Sequence, residues 1–443
     1  MGWQERRRNC GILFWSKALL SLSISIGVLA YYIVRIAQLY TYARDHPSVG
    51  SGEYETVDCP FDPAKASSPG ELASFGHRLE PAQGDFLWGF HLDWEIDSPS
   101  ALVKRLGAAP PVWNAFISMN TTDFEVDVIN WMANQIRDVK GIFELTILPT
   151  VPLDTLPRTL LWELAQECRH INSFYGVPVY LRFAHEMNGN WLVYGQKPTA
   201  FRQAFIDLAN YVHTSTNLTA MVWSPNTGLG YPYGQVTAGA ADLALLDTNR
   251  DGVVAAADDP YLPYWPGAAA VDWVGVSAYN LLAGANSHQA LAPLTGDLAQ
   301  HFYGNDVVTN GIPIHDIYNR FAAAEARPFM LSETGAPWYR NGTTEPFENT
   351  EFEVKQGWWR AVFGNTLAGG SNAFPNFKMA TWFEETKVES AFYDANVFTI
   401  RDYYITQTKE IARAFIKDAQ DLGKNAFKWA GRVKFECDGS LRN

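Results

Sequence analysis

The chain has 443 residues, a formal net charge of −13, and 47% hydrophobic and 14% aromatic residues. It is too long for one small domain and apolar enough to bury a large core, and its acidity argues against a nucleic-acid binder, which needs a basic stripe. The four cysteines include no CxxC spacing, so no zinc-ribbon pattern is present.

In chain order, Arg6-Arg7-Arg8 and Lys17 precede ALLSLSISIGVLAYYIV, Ala18 to Val34, which is about the shortest run that spans a bilayer. Arg35 closes the run, and Tyr31, Tyr32 and Tyr40 suit its interfaces. The basic flank predicts a cytoplasmic tail (1–17), a single-pass type II anchor (18–36) and a lumenal or extracellular remainder. A cleaved signal peptide is the competing reading, weakened by a poor small-residue cleavage pattern. Sequons at Asn120, Asn217 and Asn341 agree with export. Residues 37–80, rich in Ser, Pro, Gly and Glu, read as a stalk. Cys59 and Cys437 lie near the two ends of the soluble part and could bridge there, because domain termini often lie close together. Cys168, inside a helical pattern, reads as a buried small side chain.

From Asp85 onward apolar strand patterns alternate with amphipathic helical ones. The strand patterns are DFLWGFHLD, PPVWNAFISM, GIFELTILPTV, PVYLRFAHEMN, LTAMVWSPN, DWVGVSAYN, RPFMLSETG and NFKMATWFEET. Helical stretches such as FEVDVINWMANQIRDVK, RTLLWELAQECRHINSF, AFRQAFIDLANYVHT and IHDIYNRFAAAEA separate most of them. Continuous apolar strands with helical crossovers predict an α/β fold, a (β/α)8 TIM barrel over 81–425, with its site at the C-terminal strand ends. Residues 426–443 carry no pattern and read as a tail.

Between the fifth and sixth strands, Asp247, Asn249 and Asp251 alternate, Gly252 follows, Val253 offers a carbonyl, and Asp258 falls at the twelfth position. This is EF-hand-type loop spacing: hard Ca²⁺ needs several oxygens, and the Gly permits a sharp turn. Asp replaces the usual Glu at the twelfth position, and no flanking helix pair is evident, so the reading is a structural ion. A solvated acidic loop is the plain alternative.

At the end of the fourth strand, Arg182, His185 and Glu186 stand together, followed by Trp191. A carboxyl beside a His and an Arg fits either a salt-bridged strand end or a site that must keep one carboxyl protonated. Glu333 ends the seventh strand in the same manner, and two such carboxyls on one barrel face suggest glycoside hydrolysis with retention. On RFAHEMNGNW, WSPN, GVSAYN, LSETG and the late strand with Trp382, the sequence from about Asp85 to about Glu385 resembles glycoside hydrolase family 26, best known for endo-β-mannanases.

The resemblance implies Glu186 as acid/base, Glu333 as nucleophile, and Tyr279 as the hydroxyl holding the nucleophile in line. It further implies Arg182 and His185 as tuning groups, Trp191 and Trp382 as sugar-stacking rings, and His91 and Asn226 as sugar contacts. The Leu192-Val193-Tyr194 segment departs from the aromatics usual after the NGxW string in mannanases, which leaves mannan, xylan and mixed-linkage glucan open. A transglycosidase using the same intermediate and a retired carbohydrate-binding barrel are the alternatives. The expected partners are a polysaccharide and the membrane, with no nucleic acid, and the chain is expected to be a monomer with no catalytic cofactor.

Overall fold

The computed structural model describes residues 59, 75–281, 290–304, 307–341, 349–367, 374–391, 394–422 and 427–442. The predicted anchor lies outside these, and among the described residues no helix is long and apolar enough to cross a membrane. Apart from 94–96, they fall within one compact unit, 52–93 and 97–443.

Eight parallel strands close on themselves. They are β1 Phe86–Leu92, β2 Val112–Met119, β3 Ile142–Pro149, β4 Val179–Phe183, β5 Thr219–Trp223, β6 Trp273–Tyr279, β7 Phe329–Gly335 and β8 Phe377–Glu384. Each pairs with its neighbour, and β8 returns to β1 with Leu87 opposite Met379 and Leu92 opposite Glu384. Both faces of each strand are covered, so the apolar runs are continuous rather than alternating.

The helices are α1 Pro99–Leu106, α2 Val126–Asp138, α3 Arg158–His170, α4 Pro198–Ser215, α5 Ala240–Leu246, α6 Asp297–Tyr303, α7 Glu351–Leu367 and α8 Lys409–Leu422. The helical pattern after Ile314 forms only a short π-helical segment, Tyr318–Ala323. Outward-facing Trp88 shows how the layers join, lying 5.2 Å from the rings of Phe363 on α7 and Phe415 on α8.

The floor of the barrel explains two boundaries that the sequence misplaced. Leu79, within the predicted stalk, is fully buried with Leu87, Val112, Ile142, Tyr180 and Met379, and its carbonyl accepts a 2.7 Å bond from the Tyr180 hydroxyl. Residues 75–80 therefore belong to the barrel. The predicted tail does too: Phe427 and Lys428 pair with Phe86 and Leu87, and Cys437 forms a disulfide with Cys59, as the sequence reading allowed. Isolated short apolar segments carry no periodicity, which is why neither was legible.

Candidate active site

Arg182 is the hub. It is fully buried on β4, and each of its side-chain nitrogens has a partner on or just past another barrel strand. Its Nη1 donates to Glu333 Oε2 at 2.8 Å, Nη2 to Ser277 Oγ at 2.6 Å and Nε to Ser224 Oγ at 3.0 Å. A buried guanidinium is tolerable only when its donors are spent like this.

Glu333 sits on β7 opposite Ser277 of β6. Its second oxygen accepts 2.6 Å from the Tyr279 hydroxyl. Burial pushes its pKa up, but the charges of Arg182 and Lys387 and the Tyr279 bond outweigh it and hold the carboxyl ionised, below the usual range.

Glu186 lies beyond the strand, in a turn where Ala184 and Glu186 take φ of 49° and 53°. The Glu186 amide donates to the Ser224 carbonyl at 2.8 Å, which pins the turn to the end of β5. Left-handed backbone at a non-glycine residue is costly, and such strain gathers where a side chain must be aimed. The aim is set by Trp191, whose Nε1 donates to Glu186 Oε2 at 2.8 Å. Gly189 is required for this: a Cβ there would lie 2.3 Å from the Trp191 ring. Burial and the charge of Glu333 raise the Glu186 pKa, against the opposing pull of Arg182. The two glutamates thus stand in one charge network with opposite displacements.

The structure places the other predicted residues unequally. His185 is buried, and burial with the Arg182 charge lowers its pKa to about 3, so it is a neutral imidazole. His91 bonds Asn114 Oδ1 and Glu385 Oε2, each at 3.0 Å, and stacks 4.5 Å from Phe383. Asn226 is half-buried and bridges to Ser277, while its backbone exchanges bonds with the Asn188 side chain. Trp191 remains 46% exposed and offers a face to a ligand.

Trp382 does not line the mouth, contrary to the expectation. It is 0% exposed, stacks 6.0 Å from Trp88, and donates to the Tyr403 carbonyl at 2.8 Å. Strand alternation turns it outward to the helices and turns its neighbour Phe383 inward. Sequence reasoning missed Phe383, Lys387 and Asn188. The alternation along KMATWFE carried a signal for Phe383; Lys387 depends on an unpredicted hairpin, Thr386–Ala391 with Asp394–Asp402.

The oxygens of the 247–258 loop are turned onto its own backbone. Asp247 accepts from the amides of Asp251 (3.0 Å) and Gly252 (2.9 Å), and Asn249 Oδ1 accepts from the Asp251 amide at 2.9 Å. Gly252 takes the expected left-handed turn, φ 92°. Asp258 is fully buried and accepts from Thr248 Oγ1, the Asn249 amide and the Ala255 amide. The donors are hard oxygens, the chemistry Ca²⁺ prefers. Among the described residues, however, no three or more His, Cys, Asp or Glu side chains are grouped to hold a metal. Of the sequons, Asn120 is exposed, whereas Asn217 is buried and leaves no room for a glycan.

Residues 126–232 match the model of glycosyl hydrolase family 26. The chain is a glycoside hydrolase. The match includes Arg182, Glu186 and Trp191, so the resemblance read from RFAHEMNGNW stands. No curated protein matches the sequence. Solved structures similar to this glycoside hydrolase include a Cellulomonas fimi endo-β-1,4-mannanase double mutant, at 15% identity and TM-score 0.49, covering 86% of this chain and 79% of that one. The catalytic domain of a Bacillus sp. endo-β-1,4-mannanase is 16% identical with TM-score 0.45, over 87% and 97%. A Podospora anserina β-(1,4)-mannanase is 11% identical with TM-score 0.40, over 79% and 63%.

Proposed function

We propose that this glycoside hydrolase is a retaining endo-glycosidase of β-linked polysaccharide, with β-1,4-mannan as its first substrate. The observation that carries the reading is the opposed pair. Glu333 is held ionised by Arg182 and Tyr279, and Glu186 favours its proton. Glu186 protonates the glycosidic oxygen as Glu333 attacks the anomeric carbon, forming a glycosyl ester and releasing the leaving sugar. Esterification removes the Glu333 charge, the Glu186 pKa falls, and Glu186 then takes a proton from the water that hydrolyses the ester. Arg182 and Tyr279 orient the nucleophile, neutral His185 adds no competing charge, Trp191 stacks on a sugar, and His91 and Asn226 contact hydroxyls at the rim.

The loop from Asp247 to Asp258 is proposed to take a structural Ca²⁺ through Asp247, Asn249, Asp251, Asp258 and the Val253 carbonyl, supported by spacing and oxygen donors. A membrane anchor at 18–36 is proposed on its apolar run and basic flank. It suits an enzyme that remodels glycans of its own cell surface or secretory route.

The full-length chain, held in mild detergent, is to be incubated with mannan, xylan and mixed-linkage glucan. The expected result is cleavage of mannan by wild type and a loss of about 10³-fold or more in Glu186→Ala and Glu333→Ala. Wild type and variants behaving alike on all three glycans would remove the reading.

A further inference from the structure

Lys387 is a cation that the proposed mechanism leaves unused. It is half-buried on the first strand of the hairpin that follows β8, and its Nζ rests 4.0 Å from the centre of the Phe383 ring. That ring is itself fixed, 4.5 Å from His91, 5.4 Å from Tyr403 and 6.2 Å from Tyr279, whose hydroxyl bonds Glu333. One aromatic ring therefore separates the ammonium from the residues around the nucleophile.

The hairpin withholds the obvious carboxylate. Residues of one strand alternate in face, so Glu389 shares a side with Lys387, but Arg401, paired opposite Lys387, bonds Glu389 Oε2. Among the described residues the Lys387 ammonium rests on the Phe383 ring and makes no hydrogen bond or ion pair. An ammonium over an aromatic face uses one side of its charge and keeps N–H donors free for a ligand. Arg182, by contrast, is fully buried and already bonded through all three side-chain nitrogens, to Glu333, Ser277 and Ser224.

We propose that Lys387 is a substrate-positioning residue of the cleft, holding a hydroxyl of the sugar unit bound beside Glu333. This rests on the function proposed above and names a contact within it. The same ammonium biases the nucleophile. Around Glu333 stand Arg182 and neutral His185 from β4 and its turn, Tyr279 from β6, Lys387 from the hairpin, and the carboxyls of Glu186 and of buried Glu144 on β3, both of which burial shifts toward the protonated form. Removing Lys387 takes away one of the influences that keep Glu333 ionised, so the pH below which Glu333 gains its proton rises.

The test compares full-length wild type, Lys387→Met, Lys387→Gln and Lys387→Arg on whichever of the three glycans wild type cleaves. Expected for Met and Gln are a KM raised about tenfold and an acid limb of kcat/KM displaced to higher pH, both restored by Arg. A structural role alone moves neither the acid limb nor its rescue by Arg. Either neutral variant keeping wild-type KM and acid limb overturns the inference alone. A wild type inactive on every glycan overturns the proposed function and this inference with it.

Discussion

Arg182 decides more of this site than either glutamate does. It bonds Glu333 directly and its charge opposes the upward drift of Glu186, so one buried side chain acts on both carboxyls. The charged residues were legible because Arg, His and Glu at a strand end are conspicuous in an apolar run. The tryptophans were not, because a ring's direction depends on strand pleat rather than on residue type: Trp191 follows a strand and is exposed, whereas Trp382 lies within one and faces outward. Their alanine variants should therefore separate. Trp382→Ala is expected to cost about 3–5 kcal/mol of stability, as large buried aromatics do. Trp191→Ala should melt near wild type yet lose most activity, since it removes the 2.8 Å bond to Glu186 and the exposed stacking face. Denaturant melts and activity assays on both variants check this; an inactive but fully stable Trp382→Ala would contradict the packing assignment.

Among the elements, regular strands and long helices were read correctly because their apolar periods run for several turns or residues. Irregular pieces were not. The turn that lifts Glu186 out of β4 depends on two left-handed residues, Ala184 and Glu186, which no residue preference announces. The hairpin after β8 was hidden because its first strand continues from the barrel strand with only Glu385 between them. The 247–258 loop is the reverse case: its spacing is plain in sequence, while its folded carboxylates are occupied by backbone amides. If it takes Ca²⁺, a bound ion stabilises the folded chain by mass action. Thermal melts of the full-length chain in excess Ca²⁺ and in chelator should then differ by several degrees, and Asp247→Ala should abolish the difference. Melts that coincide would count against the ion.

On the scale of the whole molecule, the closed parallel barrel was legible from eight apolar runs separated by helical patterns, since few topologies accept strands covered on both faces. Its closure was less so. Leu79, Phe427 and the Cys59–Cys437 bridge seal the floor from segments that read as stalk and tail. The floor gives the strands fixed ends, and the fixed ends let side chains from β4, β6 and β7 meet at the mouth. With Glu186 as acid and Glu333 as nucleophile, the proposed function entails a covalent glycosyl intermediate and hence two successive inversions at the anomeric carbon. The direct measurement is the anomeric configuration of the first sugar released from β-mannan, followed by proton NMR before mutarotation. The β-anomer appearing first is the expected result; the α-anomer appearing first would contradict the pairing of these two carboxyls as acid and nucleophile.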